Sequence, residues 1–168
     1  MPEIANPREL FLHELGDILY VERALVQEAL PKLIGEVGDG EFKRGLEKHL
    51  DQTRRHVTNV EKVFKTLGAT PQAEECIGFE GLKSEHDTLS GEASPALIDL
   101  VDLGAAARTE HYEIAAYEGL IKMGRALGER AALAPLEQNL KQEKETLREI
   151  EKLTTRLTKE QAKDFATA

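Results

Sequence analysis

Four stretches of this 168-residue sequence carry apolar residues at helical spacing, and each is interrupted near its middle by a residue that can do chemistry. Glu22 follows Leu15 and Leu19 and precedes Val26. His49, Thr53 and His56 lie on the line through Leu46 and Val60. Glu110 stands between Ala107 and Ile114, and Glu143 between Leu140 and Leu147. An antiparallel bundle brings these midpoints to one level. A buried carboxylate without a partner is costly or takes up a proton, and a divalent cation removes that conflict. Carboxylate oxygen with imidazole nitrogen is a ligand set for iron, manganese or zinc rather than for a thiolate-type site.

A diiron bundle takes one Glu from each of two helices and a Glu-x-x-His from each of the other two. Here that spacing is half kept on each side. Thr53-Arg54-Arg55-His56 keeps the His, and Glu143-Lys144-Glu145-Thr146 keeps the Glu. The expected ligands are Glu22, His56, Glu110 and Glu143, with His49 added, around one ion or two. Asp17, Gln52, Thr53, Glu113, Gln142 and Thr146 are the expected supporting shell. The competing expectation has no metal, with His49, His56, Gln52, Gln142 and Thr53 pairing the carboxylates in a polar network. His111 reads as surface, Tyr117 as core packing, and Cys76 as a small buried hydrophobe.

Composition narrows the function classes. Lys and Arg number 22 against 31 Asp and Glu, a net charge of −9, which disfavours nucleic acid and anionic membranes as partners. Five Phe, three Tyr and no Trp leave little for a base-stacking surface. One cysteine permits no disulfide within the chain and fits a reducing, cytoplasmic setting. The opening residues predict no secretion signal, and no apolar run is long enough to span a membrane. No phosphate loop, nucleophile elbow or paired-Cys motif is present.

The elements that must position the polar layer follow from start and stop signals. Asn6-Pro7-Arg8-Glu9 starts a first helix over about 7–34, loosened near its end by Pro31. Asp39 caps a second over about 41–67, ended by Gly68 and Pro71. Ser94-Pro95 starts a third over about 95–125, and a fourth covers about 130–157 with a polar tail that frays or forms a short extra helix. The 1–2 and 3–4 connections are short. The long link between helices 2 and 3 contains a short helix near Cys76 to Leu82 and runs the length of the bundle. The expected fold is all-α: one four-helix-bundle domain with one long crossover. The hairpins also repeat in sequence. His49–Val63 aligns with Asn139–Leu153, matching Leu50 to Leu140 and Gln52 to Gln142, and setting Thr53 on Glu143 and His56 on Thr146.

The segments Glu9–Glu22, Gln52-Thr53 with His56-Val57, Glu110–Tyr117 and Gln142-Glu143-Lys144 resemble the YciE/YciF group of bacterial stress proteins, over about residues 8–157. That resemblance implies a ferritin-like bundle related in fold to rubrerythrins, a homodimer, and a role in stress responses without a settled activity. Thr53 and Thr146 stand where the wider ferritin-like pattern has a Glu and a His. Three functions remain in competition. The first is a metal protein acting on oxygen or peroxide or binding iron, the second a metal-free dimer that binds a partner protein, and the third an iron-storage shell.

Overall fold

The computed structural model describes residues 4–166, with side chains through Lys163. The first bundle helix is composite: α1 (Pro7–Ala24), a π-helical segment (Leu25–Ala29) and α2 (Leu30–Glu36) run on without a break. Then come α3 (Gly40–Thr66), α4 (Ile77–Glu92), α5 (Ile98–Ala126) and α6 (Leu133–Ala166), with 3-10 turns at Pro95–Leu97 and Arg130–Ala132. No strand occurs among the described residues.

Local chemistry sets these bounds. The Asn6 side chain accepts from the amides of Arg8 and Glu9, and Asp39 accepts from Glu41 and Phe42. Glu9 reaches back to the amide of Ala5, at 2.8 Å. Gly68 (φ 69°) and Gly128 (φ 80°) take the left-handed turn after α3 and α5, where a Cβ would be strained. Pro31 has no amide to give, and the π segment lies just before it. There the Leu30 amide bonds to the Leu25 carbonyl, five residues back.

Four contacts fix the directions. Arg8 donates to the Leu67 carbonyl, so α1 and α3 are antiparallel. Phe11 lies beside Gly124, so α1 and α5 are antiparallel too. Asp99 accepts from the amides of Gly38 and Asp39, joining the starts of α3 and α5, which are therefore parallel. Arg156 pairs with Asp39 at 2.8 Å, tying the end of α6 to the start of α3. Helix α1 packs on α3 and α5, and α6 packs on the same two, leaving α3 and α5 on a diagonal. The crossover spans that diagonal. Its helix α4 lies on α5, fastened by His86 Nε2 to Asp102 Oδ1 at 2.8 Å, with Asp102 fully buried.

Two elements exceed their expected lengths. The crossover helix has 16 residues and runs on past Leu82, because Phe79 and His86 both find buried positions against the bundle. The tail after Thr158 continues α6 to Ala166, with Arg156 pairing to Glu160 one turn on.

Candidate metal centre

Every bundle helix sends a polar side chain to one buried level. α1 supplies Glu22, the last full turn before the π segment. α3 supplies His49 and His56, α5 supplies Glu110 and Glu113 one turn apart, and α6 supplies Glu143. All six are buried, and Glu22, His56, Glu113 and Glu143 have no exposed surface. Their ligand atoms form two clusters: His49, Glu110, Glu113 and Glu143, and then Glu22, His56 and Glu143. Within each cluster the atoms lie within 4.8 Å of one another. Glu143 belongs to both.

The two imidazoles are oriented from behind. Gln142 Oε1, an acceptor only, sits 2.8 Å from His56 Nε2, so that nitrogen carries the hydrogen and Nδ1 faces inward. Thr146 Oγ1 gives its proton to the Gln142 carbonyl and therefore accepts from His49 Nδ1, at 3.3 Å, which turns His49 Nε2 inward. The inward nitrogens meet carboxylates. His49 Nε2 is 3.1 Å from Glu110 Oε1 and 3.9 Å from Glu143 Oε2. His56 Nδ1 is 2.7 Å from Glu143 Oε1 and 3.4 Å from Glu22 Oε1. The 2.7 Å contact lacks hydrogen-bond alignment, and six of the eight oxygens of Glu22, Glu110, Glu113 and Glu143 have no hydrogen-bond partner.

Electrostatics register the same conflict. Burial pushes the Glu22 and Glu143 carboxyls up, and burial with three neighbouring carboxylates drives Glu113 well above its ordinary value. Glu110 rises to about 8, chiefly through burial. Burial lowers His49. At His56 burial acts the same way, but Glu22 and Glu143 overcome it and lift the imidazole to about 11. Without a cation this layer must hold protons to exist.

Support extends outward from the carboxylates. Tyr117, fully buried, donates to Glu22 Oε1. Asn139 donates to Tyr117 Oη at 2.9 Å, and Asn59 donates to Asn139 at 2.8 Å. Thr53 spends its hydroxyl on the His49 carbonyl, at 2.9 Å. Gln52 is buried beside His49, to which it hydrogen-bonds. Asp17 lies away from the layer and accepts from Tyr112 at 2.7 Å, and His111 is exposed.

The structure therefore brings together Glu22, His49, His56, Glu110 and Glu143. It also moves Glu113 from the expected periphery into the centre. The i, i+3 spacing of Glu110 and Glu113 was the available signal. Tyr117 and Asn139 were legible only as core positions. In the hairpin repeat Asn139 is the counterpart of His49, and the two approach the layer from α6 and α3.

The comparisons agree with this architecture. The profile of the family described as "Domain of unknown function (DUF892)" matches residues 6–163. Protein YciF of Escherichia coli K12 is 28% identical over 140 residues, covering 82% of this chain and 84% of that one. The solved structure of YcfI from Rhodopseudomonas palustris superposes with a TM-score of 0.86 at 34% identity, covering 89% of this chain and 95% of that one. The crystal structure of the E. coli stress protein YciF superposes at 0.85 with 26% identity, covering 93% and 99%. This all-α bundle thus belongs to the DUF892 family, the family of the YciF-like stress proteins.

Proposed function

We propose that this stress-family protein holds a pair of divalent cations, iron or manganese with zinc as the redox-inert alternative, in the bundle core. His49, Glu110, Glu113 and Glu143 would hold one ion, and Glu22, His56 and Glu143 the other. The observation that carries this reading is the convergence of two inward ring nitrogens, His49 Nε2 and His56 Nδ1, on buried carboxylates, six of whose eight oxygens have no hydrogen-bond partner. Crowded buried carboxylates need positive charge among them, and divalent cations supply it without drawing protons into the core. The donor count supports the pair. Four carboxylates and two imidazoles make up the usual diiron inventory, with Glu113 and His49 replacing the Glu and His absent at Thr53 and Thr146.

A bound iron or manganese pair supplies one-electron chemistry toward a small oxidant such as oxygen or peroxide. The chain's own residues do the rest. Gln142 and Thr146 fix the imidazole tautomers, Tyr117 and Asn139 orient Glu22, and Leu15 and Leu19, both buried, help keep water from the layer. We further propose a cytoplasmic homodimer. Ile77, 84% exposed at the start of α4, and Leu89, 41% exposed near its end, are apolar side chains open to a partner, which also favours the second reading, a metal-free dimer that binds a partner. No described helix is long and apolar enough to cross a membrane.

Metal content per chain decides between the readings. Untagged protein loaded anaerobically with Fe(II) or Mn(II) is expected to retain about two ions per chain by elemental mass spectrometry. Glu143→Gln, which removes the ligand common to both clusters, is expected to retain neither. A wild-type chain that stays metal-free after loading would leave the layer as a proton-holding network and favour the partner-binding dimer.

A further inference from the structure

A cavity of about 100 Å³ lies beneath the crossover helix, walled by the π segment, α3, α4, α5 and α6. Its lining is mostly apolar, from Leu25, Leu46, Phe79, Leu82 and Ala106 among others, and its inner end is formed by His49 and Glu110. Glu110 Oε2 has no hydrogen-bond partner there. The outer rim is polar and bridged by two reciprocal ion pairs: Lys32 to Asp87 at 2.7 Å and Lys83 to Glu28 at 2.8 Å. Both tie the first bundle helix to α4.

The walls keep this space open. Gly45 lines it from the second turn of α3, where glycine weakens a helix, and a Cβ added there would meet nothing within 4 Å. The π segment supplies Leu25, Glu28 and Ala29 to the same wall. A mostly apolar cavity of this size has room for a xenon-sized molecule, as an engineered cavity of roughly 150 Å³ in another protein holds benzene or xenon. Along the apolar walls between rim and inner end, a charged solute loses its hydration with little to replace it.

We infer that this cavity is a binding site and antechamber for an uncharged, gas-sized apolar molecule, which it delivers to the His49–Glu110 edge of the layer. Dioxygen is the reactive member of that class, and nitric oxide is a probe of the same size and polarity. The cavity itself does not depend on the metal reading. Its role as the way to the centre does.

Xenon therefore tests the cavity on metal-free protein. Crystals or methyl NMR spectra under xenon pressure are expected to show one xenon beside Leu46 and Ala106. In Gly45→Phe, which fills the space from α3, that xenon is expected to be lost. Ala106→Leu fills it from α5, so the comparison survives if either variant fails to fold. Absence of xenon from the wild type, or its retention in a folded filled variant, overturns the site. On Fe(II)-loaded protein, nitric oxide association followed by stopped-flow absorbance is expected to slow severalfold or more in the filled variants, with Fe(II) affinity unchanged. An unchanged rate overturns the delivery role. If the chain retains no iron, the metal centre and the delivery role fall together, and the xenon result alone decides the cavity.

Discussion

Glu113 shows how residue chemistry and position combine. It stands one turn beyond Glu110, has no exposed surface, and has no partner for either oxygen. Burial and its neighbours Glu143, Glu22 and Glu110 push its carboxyl well above its ordinary value and so favour its neutral form, which Glu113→Gln replaces with a neutral group of the same shape. The metal-free variant is expected to melt within a few degrees of wild type at pH 7. Its affinity for Mn(II), titrated by calorimetry, is expected to fall by at least roughly 10–100-fold, the range seen when even outer-sphere partners are removed. Unchanged affinity would exclude Glu113 from the centre. Tyr117→Phe should behave oppositely. It strips partners from Glu22 and Asn139 in a fully buried setting, at a cost of about 1–3 kcal/mol by chemical denaturation, while metal stoichiometry stays at the wild-type value. The buried polar layer was largely legible in the sequence because a charged residue on an apolar stripe is conspicuous. Glu113 was less so, since its line on α5 is shared with the small residues around Gly104 to Ala107, and periodicity alone does not decide which edge turns inward.

At the scale of elements, α4 is the part most open to perturbation, since one buried hydrogen bond, His86 to Asp102, ties it to α5, while its ion pairs to Glu28, Lys32 and Arg108 lie at the surface. Ser90 also contacts His86 Nε2, at 3.2 Å, so both partners use the same ring nitrogen and no proton relay from serine to aspartate through the ring is formed. Removing one partner leaves the other buried and alone. His86→Ala is expected to cost about 3 kcal/mol and to speed amide exchange along α4 and the start of α5 before it reaches α3 or α6. Uniform protection loss across all helices would mean that α4 is integral to the global unfolding unit. The caps at Asn6 and Asp39, the glycine stops and the diagonal crossover were readable because they rest on local backbone chemistry. The length of α4 and the π segment were not. α4 is helical through contacts with α5 that no local pattern announces, and the π turn is a compromise between Pro31 and the packing of Leu25 and Leu30.

The whole molecule carries the charge conflict of its core as a dependence of stability on pH. In the metal-free fold Glu110 holds its proton up to about 8, whereas the unfolded carboxyl releases it near its ordinary 4.5. The folded state binds more protons over that interval, so stability falls as pH rises through it. His56, lifted to about 11 from an ordinary 6.5, adds a loss of the same sign above 6.5. His49 is shifted downward and acts oppositely: folding favours its neutral form, and that contribution grows with pH only up to about 6.5. Between 6.5 and 8 the losses act unopposed, at about 1.4 kcal/mol per pH unit for each proton held. The melting temperature of chelator-treated protein is therefore expected to drop by several degrees across that window. Bound Mn(II) reverses the balance, because the cations take the place of the protons. Loading is expected to release protons to the buffer, to strengthen as pH rises, and at a hundredfold excess over the dissociation constant to stabilise the fold by about 2.7 kcal/mol per bound ion. Melting curves recorded by circular dichroism across the window, with and without Mn(II), should therefore diverge as pH increases. Parallel curves, or a metal-free protein that grows more stable toward pH 8, would mean that the carboxylates are already satisfied within the protein and that no cation is needed to complete this core.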